Sequence, residues 1–424
     1  MNYRIFPPEE MLETTVTLPL SKSICNRQLI INALTPGAEP LASLSDCDDT
    51  QILAKILANK NLEESYNLNG AGTALRFLTA YFAATPECCI ELQANERLCQ
   101  RPMAELIEAL RQLGADITCT QAEGHAPLRI MGRQLHGGEI TVNADISSQF
   151  ISALMMIGPT LSSPLTIHLD GEIVSRPYIL MTERLMLDAG ASVDFEGQAI
   201  RISPSTYQPC PQRVERDWSA ASYWYGIAAL SAGFITLPEL SLDSIQGDRR
   251  CAPLYEMLGV NTEPADELDG LDLLASPEQF SRFDTDLSET PDLAPAMAVT
   301  AATLGIPFHL TGLSTLRNKE TDRLEALRAE LLKFGIAAEI RGDSQIVWNG
   351  ERVPVFELPS IRTYGDHRMA MAFAQTAIFY PGIIIEDIEV VTKSYPQFWQ
   401  HLTDAGFTLS DSTLPLPENT EEPE

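Results

Sequence analysis

Basic residues are scarce in this 424-residue sequence, in which 29 Lys and Arg stand against 58 Asp and Glu and give a formal net charge of −29. This balance excludes nucleic acid as a natural partner, because a phosphate backbone would be repelled. The six histidines are scattered and none of the eight cysteines forms a C-x-x-C pair, so we expect neither a metal nor a disulfide framework. The start of the chain lacks the apolar segment of a signal peptide, and the longest weakly polar run, Tyr223 to Leu237, is too short to span a bilayer. We therefore expect a cytoplasmic protein that does not bind membranes.

Length and composition favour a protein of several domains. With 424 residues, 45% of them hydrophobic, the chain is long enough for two or three domains with sizeable cores. Residues 411–424 are rich in acid and proline, and we expect them to form a disordered tail. Screening at physiological salt limits long-range repulsion to about 8 Å, so a local basic pocket can still bind a small anion.

A helix-ending pattern recurs along the chain at nearly constant spacing. In each copy an apolar helical segment ends at a glycine and a strand-like segment follows; the glycines are Gly114, Gly190, Gly259, Gly335 and Gly406. Glycine readily adopts the left-handed conformation that closes a helix. The spacing of 69 to 76 residues is too long for a solenoid repeat and suits a unit of two helices and several strands. The pattern predicts about six copies, the first of which, near Ile52 to Leu62, has no clear glycine.

A possible break between domains lies near Thr206 to Arg213, where Pro209 and Pro211 are typical of a linker. The break divides the repeats roughly three and three. Two similar halves with a cleft between them follow from this division, and such clefts are favoured ligand sites.

Basic residues occur repeatedly at or near predicted helix starts, where acidic residues are normally preferred because of the helix dipole. These residues are Lys22, Arg27, Arg76, Lys319, Arg323, Arg368 and Lys393. Any single case is ordinary capping more often than a ligand site. Many such helix starts directed into one cleft would form a site for a polyanion, and this convergence is our hypothesis.

The segment Lys319 to Arg323 illustrates the pattern and precedes an apolar helical run that begins at Leu324. The two basic side chains and the free N–H groups of the helix start favour an external anion. Glu320 and Asp322 are the local counter-charges, and either could carry a proton. The alternative is that these four charges merely pair with one another on a solvated helix end.

Several motifs, in this order along the chain, resemble those of the EPSP synthase (3-phosphoshikimate 1-carboxyvinyltransferase) family. The most specific are Ser21-Lys22-Ser23 with Asn26-Arg27, Ser147-Ser148-Gln149-Phe150, Lys319-Glu320-Thr321-Asp322-Arg323, and Asp366-His367-Arg368-Met369-Ala370-Met371. Supporting matches are Gly72-Thr73-Ala74, Arg101-Pro102, Val174-Ser175 with Pro177-Tyr178, Gln246-Gly247-Asp248, and Lys393-Ser394-Tyr395-Pro396. The resemblance extends from about residue 15 to residue 405.

This resemblance implies an α/β (α+β) fold of two similar lobes, each made of three βαβαββ units and joined by two crossovers, the inverted-barrel fold of enolpyruvyl transferases. Residues 20–214 would form the first lobe, which mainly binds shikimate 3-phosphate. Residues 1–19 and 215–410 would form the second lobe, which carries the catalytic carboxylates and the cations for phosphoenolpyruvate. We expect a monomer.

The resemblance also implies the reaction and its residues. The family transfers the enolpyruvyl group of phosphoenolpyruvate to the 5-hydroxyl of shikimate 3-phosphate and releases phosphate, without a metal or another cofactor. The residues implied for shikimate 3-phosphate are Lys22, Ser23, Arg27, Ser147, Ser148, Gln149, Ser175, Tyr178, Asp292 and Lys319. Those implied for phosphoenolpyruvate are Lys22, Gly72, Arg101, Gln149, Arg323, Arg368 and Lys393. Asp292 would be the base for the 5-hydroxyl, Glu320 would carry the proton to and from the methylene group, and Lys22 would assist catalysis.

The sequence departs from the usual family pattern at several positions, none of which removes a charged catalytic group. The departures are Leu20 for glycine, Gly70 for asparagine, Phe77 for proline, Trp218 for a small residue, and Thr315 for asparagine. Leu20 and Gly70 put the loop geometry and the substrate affinity in question.

Two alternatives share the resemblance. One is the related UDP-N-acetylglucosamine enolpyruvyl transferase, whose reactive loop cysteine has a weak counterpart in Cys99, two residues before Arg101. The motifs at Ser147 and Lys319 argue against it. The other is a non-catalytic anion-binding relative, which would be expected to lose carboxylates such as Asp292 and Glu320 first.

Overall fold

The computed structural model describes residues 1–59, 61, 63–210, 213–266 and 268–412. Most of the acidic tail expected over 411–424, and Pro211 in the expected linker, lie outside the described residues. Within the described residues, helices and strands are mixed along the chain, from a first strand that begins at Tyr3 to a last strand that ends at Asp411.

The strands are short, and most have a buried apolar face. They are β1 (Tyr3–Phe6), β2 (Glu13–Thr15), β3 (Glu63–Asn67), β4 (Cys89–Gln93), β5 (Asp116–Cys119), β6 (Leu128–Met131), β7 (Gly138–Asn143), β8 (Leu165–Asp170), β9 (Ser192–Glu196), β10 (Ala199–Ser203), β11 (Phe234–Pro238), β12 (Val260–Pro264), β13 (Gly270–Ala275), β14 (Phe283–Asp286), β15 (Phe308–Thr311), β16 (Glu339–Arg341), β17 (Gln345–Trp348), β18 (Ser360–Ile361), β19 (Ile383–Ile385) and β20 (Thr408–Asp411).

The helices carry most of the predicted site residues at their N-terminal ends. They are α1 (Lys22–Ala33), α2 (Asp48–Ala58), α3 (Gly72–Ala83), α4 (Glu96–Cys99), α5 (Ala104–Gln112), α6 (Ser148–Ile157), α7 (Arg176–Asp188), α8 (Trp218–Ser231), α9 (Cys251–Glu256), α10 (Ala294–Leu304), α11 (Arg323–Leu332), α12 (His367–Ala374) and α13 (Phe398–Asp404). Short 3-10 turns lie between them at Gly158–Thr160, Gly247–Arg250, Pro291–Leu293, Ser314–Asn318, Gln375–Ile378 and Ile388–Lys393.

One structural unit recurs through the chain. In β14–α10–β15–α11–β16–β17 the first two strands are parallel, the last two form a hairpin, and the spatial order is β14-β15-β17-β16. Sheets with the same arrangement are β3-β4-β6-β5, β7-β8-β10-β9, β2-β11-β13-β12 and β18-β19-β1-β20. The N-terminal strands β1 and β2 therefore complete two sheets whose other strands come from residues 234–275 and 360–411. The copy expected first in the chain is represented, among the described residues, by helices α1 and α2 without a sheet of its own.

The glycines that define the sequence repeat all end helices in the left-handed conformation. Gly114, Gly190, Gly259, Gly335 and Gly406 have φ values between +76° and +95°. A residue with a side chain is strained at such an angle, so glycine is preferred at each of these helix ends. The repeat is therefore visible in the sequence as regularly spaced glycines.

Two separate apolar cores lie on either side of a cleft. One is built from residues between Ile24 and Tyr207, and its centre includes helices α3 and α6. The other combines Ile5 to Leu18 with residues between Trp218 and Phe407, and its centre includes helices α8, α10 and α12. We call them the first and second lobes. Helices at both centres are apolar all round, as expected for helices buried within a lobe.

Two chain segments cross between the lobes and pair with each other. Ser21 N–H donates to the Glu215 carbonyl at 2.8 Å, and Asp217 N–H donates to the Pro19 carbonyl at 2.9 Å. The Asp217 carboxylate then accepts from the N–H groups of Ala220 in α8 and Lys22 in α1, at 3.0 and 3.3 Å. One side chain thus caps a helix of each lobe. Ser21, which precedes α1 at its N-cap position, makes no side-chain capping bond.

Candidate active site

The cleft between the lobes contains about 1070 Å³ of space, part of it open to solvent, and is lined by side chains of both lobes. The residues from the first lobe are Lys22, Ser23, Arg27, Asp49, Gly72, Thr73, Arg76, Arg101, Pro102, Ile146, Ser147, Ser148, Gln149, Phe150, Ser175 and Tyr178. Those from the second lobe are Asp292, Thr315, Asn318, Lys319, Glu320, Arg323, His367 and Arg368. Every residue implied for the two substrates is among them except Lys393, which contacts the same cluster.

Positive charge dominates this cleft although the chain as a whole is strongly acidic. Seven Lys and Arg side chains line it against three carboxylates. The lining helices α1, α3, α6, α11 and α12 also begin at the cleft, so their N–H groups add partial positive charge. A local excess of this kind requires anions, and the arrangement is suited to binding phosphate and carboxylate groups.

Arg323 is the centre of the ion-pair network. The residue is 1% exposed, and its guanidinium donates to Asp366 at 2.7 Å, Asp292 at 2.8 Å and Glu320 at 2.9 Å. Asp322, by contrast, caps α11 and pairs with Arg317. The alternative of a solvated cluster in which Arg323 pairs only with its sequence neighbours is therefore wrong.

Asp292 lies in a 3-10 turn at the start of α10 and faces three cations. Its carboxylate is 2.8 Å from Arg323, 3.2 Å from Lys319 and 3.3 Å from Arg368. Burial acts to raise the pKa of Asp292, but these three cations outweigh it and hold the pKa far below its ordinary value. These cations therefore keep this carboxyl ionised.

Glu320 is the second carboxylate and lies opposite the first lobe. One oxygen is 2.8 Å from the Lys393 ammonium and the other is 2.9 Å from Arg323. Burial favours the neutral acid, yet Lys393, Arg323 and Arg101 keep the pKa of Glu320 well below its usual value. Both candidate proton carriers are thus held as carboxylates by cations that could instead hold substrate anions.

Lys393, which the sequence placed near a helix start, reaches this cluster from the segment before α13. It ends the 3-10 turn Ile388–Lys393, five residues before α13, rather than beginning a helix. Its ammonium donates to the Gly70 carbonyl at 2.9 Å across the cleft. Lys393 therefore joins the second lobe to the loop before α3.

Uncharged hydrogen-bonding groups occupy the first-lobe wall at the starts of α6 and α7. Ser147 caps α6 by accepting from Gln149 N–H at 3.3 Å, and the Gln149 side chain donates to Thr73 at 3.1 Å. Ser175, immediately before α7, has a φ of +55°. A left-handed serine is strained, and such strain is concentrated at functional sites.

Gly72 permits a close approach of two arginines. A Cβ atom at this position would lie 2.7 Å from Nη1 of both Arg101 and Arg76. Buried Nε groups of Arg76 and Arg101 have no hydrogen-bond partner in the structure. Both guanidinium groups therefore lie against the start of α3, where Arg76 also donates to the Gly72 carbonyl at 2.7 Å.

Arg27 differs from the other cleft cations because the protein already uses most of its donors. Its guanidinium donates to Thr182 and Ser152 side chains and to the carbonyls of Ser23 and Tyr178, at 2.7 to 3.3 Å. Burial lowers the pKa of Arg27 to about 10, which leaves it charged at neutral pH. Arg27 thus supports the wall formed by Tyr178 and has little capacity left for a ligand.

Lys22 begins α1 and pairs with Asp49 at 3.3 Å. Burial opposes its charge, but Asp49 outweighs burial and raises the pKa of Lys22 to about 12. Asp49 was not among the predicted site residues, because an acidic residue at a helix start is ordinary capping. Five further residues line the cleft without having been predicted as site residues: Arg76, His367, Thr73, Asn318 and Pro102. Of these, Thr73, Pro102 and His367 belong to the motifs quoted above, and Arg76 belongs to the basic residues at helix starts.

The departures from the family pattern have local explanations. Leu20 forms an isolated bridge with Arg216 in the crossover, and the carbonyl of Gly70 receives Lys393. Phe77 lies 5.4 Å below the Arg27 guanidinium. The remaining two departures are Trp218, which is buried and donates to the Ser241 carbonyl, and Thr315, which lines the cleft with an unpartnered hydroxyl.

The parts of the chain that the structure describes contain no group of three or more His, Cys, Asp or Glu side chains placed to hold a metal ion. No helix there combines the length and the apolar character needed to cross a membrane.

Comparison with known proteins decides the family. The family model described as EPSP synthase (3-phosphoshikimate 1-carboxyvinyltransferase) matches residues 57–402. The chain belongs to the EPSP synthase family. A 3-phosphoshikimate 1-carboxyvinyltransferase of Bacteroides fragilis is 49% identical over 411 residues, covering 96% of this chain and 99% of that protein. The enzyme of the same name from Syntrophobacter fumaroxidans is 34% identical over 418 residues, covering 93% and 97%.

Solved EPSP synthases also share the fold. A structure of EPSP synthase from Acinetobacter baumannii matches with a TM-score of 0.75 and 21% sequence identity, covering 97% of this chain and 100% of that chain. The α/β fold of two lobes expected from the sequence is confirmed. The site residues of this EPSP synthase family member lie where the two lobes meet.

His367 supplies a prediction about pH. Its ring is 2% exposed with Nδ1 unpartnered, and burial, reinforced by Lys22, holds the pKa of His367 well below 6.5. The unfolded chain binds this proton below pH 6.5 whereas the folded chain does not, so stability is lost as pH falls through 6.5. We expect wild type to lose more stability than His367→Gln between pH 7 and pH 5, as measured by urea unfolding at both pH values.

His168→Gln is the matched control, because His168 is exposed on β8. It should keep the wild-type dependence on pH. An equal loss of stability in wild type and His367→Gln would mean that His367 is protonated in the folded protein.

Proposed function

We propose that this chain transfers the enolpyruvyl group of phosphoenolpyruvate to the 5-hydroxyl of shikimate 3-phosphate and releases inorganic phosphate. The observation that carries the proposal is the pair of carboxylates, Asp292 and Glu320, set among cations on one side of a cleft whose other side presents hydroxyl and amide groups. Such a site can bind two anions and move two protons between them, which is what this reaction requires.

Shikimate 3-phosphate would lie against the first lobe. Its phosphate would receive hydrogen bonds at the starts of α6 and α7 from Ser147, Ser148 and Ser175, and its ring would lie beside Tyr178. Gln149, Lys22 and Ser23 would complete this half-site, with Lys319 and Asp292 directed at the ring hydroxyls. The neutral donors and the strained Ser175 support this placement.

Phosphoenolpyruvate would bind between the arginines of both lobes. Arg101 and Gly72 come from the first lobe, and Arg323, Arg368 and Lys393 from the second. Planar guanidinium groups match the geometry of carboxylate and phosphate oxygens. The unpartnered Arg101 Nε in this region supports the assignment.

The proton transfers would follow from this placement. Asp292 removes the proton of the 5-hydroxyl as the hydroxyl oxygen forms a bond to C2 of phosphoenolpyruvate, while the Glu320 carboxyl, neutral in the complex with both substrates, protonates C3. In the second stage the carboxylate of Glu320 takes a proton back from C3 as the C2–O bond to phosphate breaks, and Asp292 gives its proton to the departing phosphate. Substrate anions that engage Arg323, Arg368 and Lys393 weaken the hold of these cations on both carboxylates, and the pKa values then rise toward the range useful for catalysis.

The division of labour between the lobes is part of the proposal. Residues 20–214 form the lobe that mainly binds shikimate 3-phosphate, and residues 1–19 with 215–410 form the lobe that supplies the catalytic carboxylates. We further propose that the protein works as a monomer in the cytoplasm.

The direct test is phosphate release by the purified protein with phosphoenolpyruvate and each acceptor. We expect release with shikimate 3-phosphate and none with UDP-N-acetylglucosamine. Release with the sugar nucleotide alone would favour the related transferase, and binding of shikimate 3-phosphate without turnover would favour a non-catalytic relative.

Replacement of the proposed proton carrier is the second test. Glu320→Gln keeps the size of the side chain but cannot exchange a proton, so we expect kcat to fall by about 10²- to 10⁴-fold while the protein remains folded. Glu325→Gln, an exposed change on α11, is the control and should retain activity. Near-normal turnover by Glu320→Gln would exclude this role.

Replacement of Arg101 separates the two half-sites. Arg101→Ala should raise the KM for phosphoenolpyruvate by about 10- to 100-fold, the cost of losing hydrogen bonds to a charged group, and should change the KM for shikimate 3-phosphate far less. Steady-state kinetics with each substrate varied would measure both constants. Arg129→Ala, an exposed change on β6, is the control. Equal losses for both substrates would contradict the assignment.

A further inference from the structure

The motif Gln246-Gly247-Asp248 has no role in the proposed chemistry, yet it contacts the crossovers and the first lobe. Gln246 donates to the Glu215 side chain at 2.9 Å and to the Arg216 carbonyl at 2.7 Å, both in the crossover. Gly247 lies so close to α7 that a Cβ atom there would be 2.3 Å from Cβ of Pro177. The motif is therefore a point at which the second lobe fits directly against the first.

Asp248 makes the most specific of these contacts. The residue is 3% exposed, and one carboxylate oxygen accepts from the Tyr178 hydroxyl of the first lobe at 3.1 Å. The other oxygen accepts from the hydroxyl of Ser219 at the start of α8. One buried carboxylate thus holds a hydroxyl from each lobe.

The hydrogen bonds continue from Asp248 to the residues proposed for phosphoenolpyruvate. Arg368 donates to the Ser219 oxygen at 3.3 Å, and the same nitrogen lies 3.3 Å from the Asp292 carboxylate. A continuous path therefore runs from Tyr178 through Asp248 and Ser219 to Arg368. One end is Tyr178, proposed to lie beside the shikimate ring, and the other is Arg368, proposed to bind phosphoenolpyruvate.

A buried carboxylate such as Asp248 lowers the stability of the folded protein if its only role is a structural contact. Burial raises the pKa of its carboxyl to about 6, which means that ionisation at neutral pH opposes folding. A neutral or apolar group of similar size at a buried position is often as stabilising as a charge. The cost points to a requirement other than stability.

We propose that Asp248 is a positioning residue that couples the two half-sites. When shikimate 3-phosphate orders Tyr178, the carboxylate of Asp248 fixes Ser219 and through it the guanidinium of Arg368, so that phosphoenolpyruvate meets a preformed site. Asp248 itself touches neither substrate. The inference rests on the proposed function, because it assigns Tyr178 and Arg368 to different substrates.

The test measures the coupling between ligands without turnover. A shikimate 3-phosphate analogue that lacks the 5-hydroxyl cannot accept the enolpyruvyl group, so the Kd of phosphoenolpyruvate can be measured calorimetrically at pH 8 with and without it. We expect wild type to bind phosphoenolpyruvate more tightly when the analogue is present. Asp248→Asn should reduce that enhancement by about tenfold or more, the value of a hydrogen bond to a charged group, and change the Kd without the analogue much less.

Tyr178→Phe removes the same link from the other lobe while keeping the aromatic ring. It should reduce the enhancement as Asp248→Asn does, and the double variant should lose no more than either single variant, because both changes break one path. Tyr207→Phe removes a buried hydroxyl elsewhere in the first lobe, and Asp272→Asn removes a carboxylate that accepts from Thr236 in the second. Both controls should keep the wild-type enhancement.

The outcomes separate this inference from the proposed function. Wild type that releases no phosphate with both natural substrates overturns both. Wild type that turns over, together with an Asp248→Asn enzyme whose enhancement is unchanged, overturns the coupling alone. If Asp248→Asn does not fold, Tyr178→Phe decides: an unchanged enhancement rejects the coupling, and a reduced one supports it.

Discussion

The structure depends on holding an excess of positive charge in a cleft whose charged side chains are mostly buried. Seven cationic side chains line it against three carboxylates, although the whole chain carries a net charge of −29. Like charges at such distances repel by several kcal/mol in a protein environment, so the apolar core of each lobe must hold them. Arg323 shows how this is done: it is buried behind the cleft, and Asp366, which is itself buried, neutralises it from the protein side.

Neither lobe could hold this charge alone, and the crossovers determine how the two are presented to each other. Asp217 caps both α8 of the second lobe and α1, which begins with Lys22. A displacement of one helix start would therefore displace the other. Across the cleft, Arg97 donates to the carbonyls of Lys319 and Glu320 at 3.0 and 2.9 Å. The backbone that carries both of these side chains is thereby held by the first lobe. Bringing the lobes together excludes water, which strengthens each ion pair in the cleft.

The repeat could be predicted from sequence because a left-handed glycine at a helix end is a local feature. Gly190 and Gly335 can be recognised from the residues next to them, without knowledge of tertiary contacts. It predicted cations at helix starts for the same local reason. It did not identify Asp49, whose importance comes from its ion pair with Lys22 across helices α1 and α2. The convergence of these side chains in one cleft depends on long-range contacts. Local patterns left it as a hypothesis, and the resemblance to whole motifs supplied the set of residues expected to converge.

The charge balance also suggests why two substrates are needed before protons move. Each proposed substrate carries one carboxylate and one phosphate, about −2.5 to −3 at neutral pH. The surplus in the cleft is three positive charges once Asp366, the buried partner of Arg323, is counted with the lining, or four with Lys393. The first ligand does not exceed this surplus, and in the proposed mechanism Glu320 then remains an ionised counter-charge that cannot deliver a proton. The second ligand brings the balance to zero or below, and a neutral Glu320 carboxyl then becomes favourable. The proposed mechanism thus confines proton transfer to carbon to the complex that contains both reactants, and it protects phosphoenolpyruvate bound alone from protonation.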